Sequence, residues 1–164
     1  MPIFRGPEDY YFLLTLRTQS VETHKGQISF PGGGMEPQDR TLEETALRET
    51  WEEIGLAPSH VRVLGMFDEY FSVTDLIVTP YAAWLEPPFD LNLNANEVEA
   101  IFHVPFSLFR DQSKLRVEIR VRQGEEFPVF FYDFEGKEIW GLTARIIRDF
   151  LQLLDEQKGS QSGV

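Results

Sequence analysis

Three glutamates in the middle of the chain have the spacing expected of a single chemical site. Glu49, Glu52 and Glu53 stand at positions i, i+3 and i+4, and on a helix that turns ~100° per residue they project from one face. Like charges at this spacing repel one another, whereas a Mg²⁺ ion binds such hard carboxylate oxygens. The pattern therefore indicates a divalent-metal site. A solvated acidic helix face, in which Arg48 pairs with a neighbouring glutamate, explains the same residues.

A glycine-rich turn lies upstream of the glutamates and extends this interpretation. Gly32, Gly33 and Gly34 follow Phe30 and Pro31. Glycine lets the backbone approach a ligand closely, which leaves a carbonyl oxygen available to a metal. By themselves the three glycines predict only a tight turn. Beside the glutamates they favour a loop that shares the metal site.

The glutamates need a helix to hold them, and the local pattern predicts one from Thr41 to Ile54. Thr41 opens a capping-box pattern, and Gly55 is a typical residue for the end of a helix. Leu47, Trp51 and Ile54 fall roughly opposite the glutamates. We therefore expect these three side chains to anchor the helix on a sheet.

Apolar and alternating runs predict the strands and a second helix. The strands cover residues 10–17, 27–30, 61–66, 76–85, 117–122 and 129–134, and the helix covers 142–154. Strands, helix, strands and helix in this order are typical of a mixed α/β (α+β) domain. We predict a single domain over residues 1–157, followed by a flexible tail over 158–164.

The composition restricts the classes of partner and cofactor. The 164 residues carry a net charge of −12, whereas nucleic-acid binding by counterion release needs a basic surface. The absence of cysteine excludes disulfide scaffolds, thiolate metal sites and cysteine nucleophiles. No apolar run reaches the ~18 residues of a membrane span. We therefore expect a cytoplasmic protein that acts on a small molecule and binds neither nucleic acid nor membrane. The sequence leaves a homodimer open.

Together, the glycines and glutamates resemble the Nudix box. In that box a Gly is followed after five residues by Glu and, after seven more, by Arg-Glu-U-x-Glu-Glu-x-Gly-U, where U is aliphatic. The residues that match in type and spacing are Arg48, Glu49, Glu52, Glu53, Gly55 and Leu56. Counting back from Arg48 makes Gly34 the box glycine but puts Arg40 at the position of the Glu. We prefer Gly33 as the box glycine, so that Asp39 replaces the Glu and one extra residue precedes Arg48. Thr50 also replaces an aliphatic residue. The resemblance implies an α/β/α sandwich with a mixed sheet and a loop-helix-loop.

The same resemblance implies a reaction and roles for its residues. Nudix enzymes hydrolyse nucleoside diphosphates linked to another moiety, and they use Mg²⁺ or Mn²⁺. The implied ligands are the Glu49, Glu52 and Glu53 carboxylates and a carbonyl of Gly33 or Gly34. Arg48 is expected to orient the glutamates by ion pairing. A further acid is expected from outside the helix, with Glu97 as the first candidate and Glu69 behind it, although a solvated loop acid explains Glu97 equally well.

A second resemblance narrows the substrate. Leu13-Leu14-Thr15-Leu16-Arg17-Thr18, followed by Gly26 and Phe30-Pro31-Gly32-Gly33, resembles the signature of the coenzyme A pyrophosphatase branch. The implied substrate-binding residues are Arg17, Thr18, His24, Lys25, Phe30, Gly32 and Gly33. Glu22 departs from this signature, because it stands where Arg is usual. We therefore expect hydrolysis of CoA or its thioesters to 3′,5′-ADP and 4′-phosphopantetheine products. ADP-ribose or a dinucleotide is the alternative substrate, and a catalytically silent nucleotide-binding module is the alternative of another class.

Overall fold

A computed structural model of the protein describes residues 1–18, 26–73 and 75–161, apart from the side chains of 158–161. The chain forms two compact units, Met1–Pro105 and Phe106–Val164. Each contains its own sheet and at least one helix. The protein thus has the mixed α+β class that the sequence predicts.

The first unit is built on a six-stranded mixed sheet in the order β3-β2-β1-β7-β4, with β8 also paired to β2. Its strands are β1 Pro2–Arg5, β2 Tyr10–Arg17, β3 Ile28–Ser29, β4 Val61–Met66, β5 Tyr70–Phe71, β6 Ile77–Val78, β7 Tyr81–Leu85 and β8 Val98–Pro105; its helix is α1 Leu42–Ile54, and a 3₁₀ turn spans Pro58–His60. The pairing of β1 with β7 is parallel, and the other pairings in this sheet are antiparallel. Strands β5 and β6 form a separate antiparallel pair.

Strand β2 lies at the centre of this sheet, with the bounds that the sequence predicts. It pairs with β1, β3 and β8. Five consecutive residues, 12–16, are buried, which means that both faces of the strand are covered. Arg17 is the last residue of β2, so the central strand ends directly at the first charged residue of the signature segment.

Helix α1 confirms the prediction made from its terminal residues. The Thr41 side chain accepts a hydrogen bond from the Glu44 backbone N–H at 3.1 Å, which satisfies a donor of the first turn. Gly55 has φ 67°, a left-handed conformation that favours glycine. Ile54 and Leu56 belong to a buried apolar cluster. The other members of that cluster are Phe4, Leu13, Leu85 and Val98.

Three predictions about these elements were wrong or incomplete. Trp51 does not anchor the helix, because 52% of the residue is exposed. Ile54 is fully buried as expected, and the charged Glu53 is buried next to Ile54. The strand predicted over 76–85 is divided into β6 and β7. Pro80 lies between them, and proline has no N–H to donate to a ladder. Strand β8 was not predicted at all, although it pairs with β2 over most of its length.

The second unit contains a three-stranded antiparallel sheet in the order β11-β10-β9. Its elements are α2 Phe106–Arg110, a 3₁₀ turn Gln112–Lys114, β9 Leu115–Arg122, β10 Glu125–Phe134, β11 Lys137–Trp140 and α3 Gly141–Gln161. The two strands predicted over residues 117–122 and 129–134 are present as β9 and β10, which pair antiparallel as a hairpin. Tyr132 is completely buried, and its ring meets that of Phe109 edge-on at 4.9 Å. This contact joins β10 to α2. The rest of the core lies between the sheet and α3, where Ile139, Ala144 and Ile147 are fully buried.

Helix α3 is longer than the periodicity predicts. It begins at Gly141 and continues to Gln161, whereas the prediction covers residues 142–154. Residues 158–161 are thus helical, and 162–164 lie outside the described residues. A single domain over 1–157 stays a prediction. In the part of the chain that the structure describes, no helix is long and apolar enough to cross a membrane.

Candidate active site

The glutamates of α1 and the end of β2 meet at a buried ion pair. The Arg17 Nη1 atom donates to Glu53 Oε1 at 2.7 Å, and the Glu53 side chain is 1% exposed. The Gly32 backbone N–H donates to the other oxygen, Oε2, at 3.3 Å. Burial raises the pKa of Glu53 to about 7, and this outweighs the opposite effect of the Arg17 charge. The site therefore holds a carboxylate whose ionised form gains from a nearby cation.

Arg48 joins the other two glutamates to the preceding loop. Its Nη1 atom donates to Glu49 Oε1 at 2.9 Å and to Glu52 Oε2 at 2.8 Å. Its Nη2 atom donates to the Gly34 carbonyl oxygen at 3.0 Å. The predicted pairing of Arg48 with glutamates of its own helix is thus present. That this pairing orients them for catalysis stays a prediction.

Asp39 completes the environment of Arg48. Its two carboxylate oxygens accept from Arg48 Nε and Nη2 at 3.0 and 2.9 Å, the two-point geometry that an arginine fork favours. Asp39 Oδ2 also accepts from the Glu36 backbone N–H and from the Thr45 hydroxyl. The hydrogen bonds from Arg48 are the main reason that the pKa of Asp39 is well below its usual value. Arg40, the alternative at this position of the box, instead pairs with Glu44.

The glycine loop is in close contact with Glu49. A Cβ atom added to Gly33 would lie 2.3 Å from Glu49 Oε2, whereas one added to Gly34 would meet nothing within 4 Å. Of these two residues, only Gly33 must be a glycine for Glu49, a predicted metal ligand, to pack where it does. Because the Gly34 carbonyl already accepts from Arg48, the geometry favours Gly33 as the source of the backbone ligand. Burial is the main reason that the pKa of Glu49 is raised.

Glu97 lies near the helix glutamates, as its predicted role requires. Its negative charge contributes to the raised pKa of both Glu49 and Glu53. Asn94 holds this loop in place: its backbone N–H donates to the Glu53 carbonyl at 2.9 Å, and its side chain donates to Glu97 Oε1 at 3.1 Å. The sequence analysis missed Asn94. The signal available was the Asn-x-Asn-Glu run, which is typical of a side-chain-stabilised turn.

The remaining predicted residues have separate surroundings. The Thr18 backbone N–H donates to the Glu97 carbonyl at 2.9 Å, so Thr18 lies beside the loop that carries the candidate acid. Phe30 packs edge-on against Phe12 at 5.7 Å, a contact that supports the sheet. His24 and Lys25 lie outside the described residues. Glu69 accepts a hydrogen bond from Thr79.

The chemistry of this residue set fits a divalent cation. The carboxylates of Glu49 and Glu53 are buried enough that burial raises the pKa of both, and Mg²⁺ or Mn²⁺ prefers oxygen ligands of this kind. Among the described residues, no three acidic, histidine or cysteine side chains are grouped so that they could hold a metal ion. The carboxylates are instead in contact with Arg17 and Arg48. Arg17 Nε is buried and has no hydrogen-bond partner among the same residues, which is the type of donor that an anionic ligand would satisfy.

Comparison with known protein families matches most of the chain to one family. The NUDIX domain family matches residues 1–135. A Photorhabdus laumondii protein, named an uncharacterized Nudix hydrolase NudL, is 38% identical over 152 residues, covering 93% of this chain and 81% of the relative. Nudix hydrolase 22, chloroplastic, of Arabidopsis thaliana is also 38% identical over 152 residues, covering 88% of this chain. The chain spans 50% of the length of that plant protein.

Comparison with solved structures supports the fold. The crystal structure of a C. elegans Ap4A hydrolase binary complex superposes with a TM-score of 0.56. The two chains are 19% identical, and the match covers 65% of this chain and 76% of the nematode protein. At that identity the likeness concerns the fold alone.

Proposed function

The chain belongs to the Nudix hydrolase family, and we propose that it cleaves the pyrophosphate bond of coenzyme A or of a CoA thioester. The products would be 3′,5′-ADP and 4′-phosphopantetheine or its acyl derivative. Nudix hydrolases act on nucleoside diphosphates linked to a further moiety. The proposal narrows this general reaction to one substrate class and assigns it to the cytoplasm.

The observation that carries the proposal is the ion pair between Arg17 and Glu53. Arg17 belongs to the segment that resembles the CoA pyrophosphatase signature, and Glu53 belongs to the Nudix box. Their 2.7 Å contact supports a single site that contains both motifs. The buried Arg17 Nε atom, which has no partner among the described residues, supports a role for Arg17 in binding a phosphate oxygen.

The described side chains support distinct roles in this reaction. Glu49, Glu52 and Glu53, with the Gly33 carbonyl, would hold Mg²⁺ or Mn²⁺, which when bound supplies charge neutralisation of the pyrophosphate and a more acidic water. Arg48 would keep the carboxylates in position through its contacts with Glu49 and Glu52.

Glu97 would supply a further carboxylate close to that group. It is placed by Asn94, which donates to its side chain. Water would attack one phosphorus atom, and the other phosphate would leave with the bridging oxygen. Positioning and charge neutralisation supply most of the rate in such transfers.

The test is direct product analysis. Purified protein is incubated with CoA and Mg²⁺ or Mn²⁺, and the products are identified by mass spectrometry, with a chelator and the Glu53→Gln variant as controls. We expect 3′,5′-ADP and 4′-phosphopantetheine from the wild type alone, and only when metal is present. Cleavage of ADP-ribose in place of CoA would contradict the proposed substrate while retaining the Nudix reaction.

The second candidate substrate is ADP-ribose or a related dinucleotide. It is favoured by Glu22, which stands where the CoA signature has Arg and whose negative charge would not help to bind the 3′-phosphate. Glu22 lies outside the described residues. The two candidates differ in the effect of Glu22→Arg. If the CoA proposal holds and the phosphate is recognised nearby, this variant should improve the KM for CoA relative to that for dephospho-CoA. An unchanged ratio would contradict recognition of the 3′-phosphate at this position.

A further inference from the structure

The outer strand of the second sheet exposes an unusual amount of apolar surface. Strand β9 (Leu115–Arg122) pairs with β10 on one side and is the last strand of the sheet in the described residues. We call its other side the open edge. The exposed fractions of Val117, Ile119 and Val121 are 47%, 61% and 66%. Edge strands with exposed apolar side chains are templates for pairing with another strand.

The hairpin turn determines which backbone groups point to the open edge. Gln123 and Gly124 form a two-residue loop with φ values of 54° and 86°, so the flanking residues Arg122 and Glu125, which are in register, close the hairpin as a hydrogen-bonded pair. Hydrogen bonding alternates along an antiparallel strand. The N–H and C=O groups of residues 117, 119 and 121 therefore point away from β10.

We propose that β9 pairs with β9 of a second copy of this chain, antiparallel and about a two-fold axis at Ile119. Ile119 then lies opposite Ile119 of the second copy, and Val117 lies opposite Val121. Both pairs use the backbone groups that point to the open edge. The apolar row of one copy extends that of the other, and the two three-stranded sheets become one six-stranded sheet.

The charges on the opposite face of β9 favour this register over the one shifted by a single residue. With the axis at Ile119, Glu118 of each copy lies opposite Arg120 of the other. These are non-hydrogen-bonded positions, where opposite side chains come closest, and unlike charges at such positions stabilise strand pairing. Moving the axis to Glu118 would set Glu118 against Glu118 and Arg116 against Arg120, so every charged pair at the centre would be repulsive.

One feature opposes the pairing at its ends. In the proposed register Arg116 lies opposite Arg122 of the second copy. Arg116 already forms ion pairs with Glu118 and Glu138 of its own chain, which reduces this repulsion. A pairing of seven residues buries much less than the ~1,600 Å² of a standard interface. We therefore expect a weak dimer whose population depends on concentration.

The test is a charge exchange at the two central positions, followed by sedimentation velocity over a wide range of concentration. Glu118→Arg alone, or Arg120→Glu alone, sets like charges against each other and should weaken dimerisation at least about tenfold. An equimolar mixture of the two variants sets two arginines of one copy against two glutamates of the other. This mixture should form a heterodimer, which native mass spectrometry identifies by mass.

Matched controls separate the specific effect from net charge and folding. Lys137→Glu in β11 and Glu156→Arg in α3 change the net charge by the same amounts as the two test variants, and they should leave the wild-type dimerisation unchanged. Thermal unfolding of every variant confirms that the fold is retained.

Amide hydrogen exchange gives an independent measurement of the register. The N–H groups of Val117, Ile119 and Val121 should exchange more slowly as the concentration of wild-type protein rises, whereas those of Glu118 and Arg120, which face β10, should not change. A wild type that is monomeric up to millimolar concentration would overturn the proposal. So would a dimer that both single variants form as readily as the wild type, or a mixture of folded variants that forms no heterodimer.

Discussion

Helix α1 and strand β9 both place arginines beside glutamates, yet the two clusters differ in their exposure to water. At α1 the Glu53 side chain is 1% exposed and that of Asp39 is 4% exposed. At β9 the side chains of Arg116, Glu118 and Arg120 are all between 41% and 49% exposed. The residue types are the same, so the difference comes from the packing around them.

The difference in exposure changes the pKa values of the glutamates in the two clusters. Burial raises the pKa of Glu53 to about 7 although Arg17 is in contact with it. At β9, the hydrogen bond from Arg120 is the main reason that the pKa of Glu118 is lowered, and it outweighs the opposite effect of burial. A buried carboxylate is stabilised strongly by a cation, whereas an exposed one is already solvated. The first cluster is therefore suited to chemistry with cations, and the second to a surface.

The largest expected effect is that of Glu53→Gln. Loss of this carboxylate should lower kcat by at least about a hundredfold, because the charge stabilisation that a bound metal supplies amounts to several kcal/mol. Steady-state kinetics with CoA measures this effect. The fold should remain, because the glutamine carbonyl keeps an acceptor for Arg17 and only the longer hydrogen bond from the Gly32 N–H, at 3.3 Å, is lost; circular dichroism checks it. Normal turnover of this variant would show that Glu53 is not a metal ligand. The burial of the α1 cluster would then have no catalytic role that the exposed β9 cluster lacks.

The second prediction compares two neighbouring glycines. Gly33→Ala should lower kcat roughly ten- to a hundredfold, because its Cβ would lie 2.3 Å from Glu49 Oε2 and a displacement of about 1 Å is enough for such a loss. Gly34→Ala is the matched control and should retain turnover, since nothing lies within 4 Å of its added atom. Equal losses in both variants would mean that loop flexibility, and not the Glu49 contact, explains the glycines.

The third prediction concerns Asp39, which holds Arg48 without touching the metal-binding carboxylates in our scheme. Asp39→Asn should lower kcat about ten- to a hundredfold, the usual effect of losing a residue that orients metal ligands. Arg40→Gln, at the adjacent position, should leave kcat unchanged. If the Asp39→Asn variant turned over as fast as the wild type, the two hydrogen bonds from Arg48 to Asp39 would not be needed to position Arg48.

The pH dependence of stability gives a second measurement on Asp39. Because Arg48 lowers the pKa of Asp39 in the folded state below its usual value of 3.8, the unfolded chain binds the proton more readily. Asp39 therefore contributes stability above that value, and the contribution is lost as the pH falls below it. Denaturant unfolding of the wild type should weaken more steeply with acid than that of Asp39→Asn. Parallel curves would contradict the strong Arg48 contact.

The smallest expected effect is that of Glu138→Gln in β11, which removes an exposed ion pair with Arg116. Because pairs of this exposure contribute little, both kcat and the midpoint of thermal unfolding should stay within experimental error of the wild type. This variant is the surface counterpart of Glu53→Gln. A clear loss of stability would mean that the charges on β9 also stabilise the fold.

Local patterns were sufficient to predict several elements and the arrangement of the glutamates. The bounds of β2 were correct because a continuous apolar run identifies a central strand. The bounds of α1 were correct because Thr41 and Gly55 cap the helix through backbone groups only three or four residues away. Such contacts can be predicted from the local sequence. The assignment of Asp39 to the acidic position of the box agrees with its contact with Arg48, which the residue count alone left open.

Long-range contacts were the source of the errors and omissions. Strand β8 was missed because its residues do not alternate clearly, and its partner β2 lies about 90 residues away in the chain. Trp51 was misplaced because helical periodicity defines a face but not which part of it meets the sheet. In the structure Glu53, next to Ile54, occupies the buried position.

The spacing of the three glutamates and the glycines that precede them follow from the order of residues alone, because a helix converts spacing into direction. Burial does not follow from that order. Arg17, Gly32 and Glu97 are distant from Glu53 in sequence. Only the packing of β2, the glycine loop and the loop before β8 against α1 brings them to it. The raised pKa of Glu53 depends on water being excluded by these neighbours, which is a property of the assembled fold.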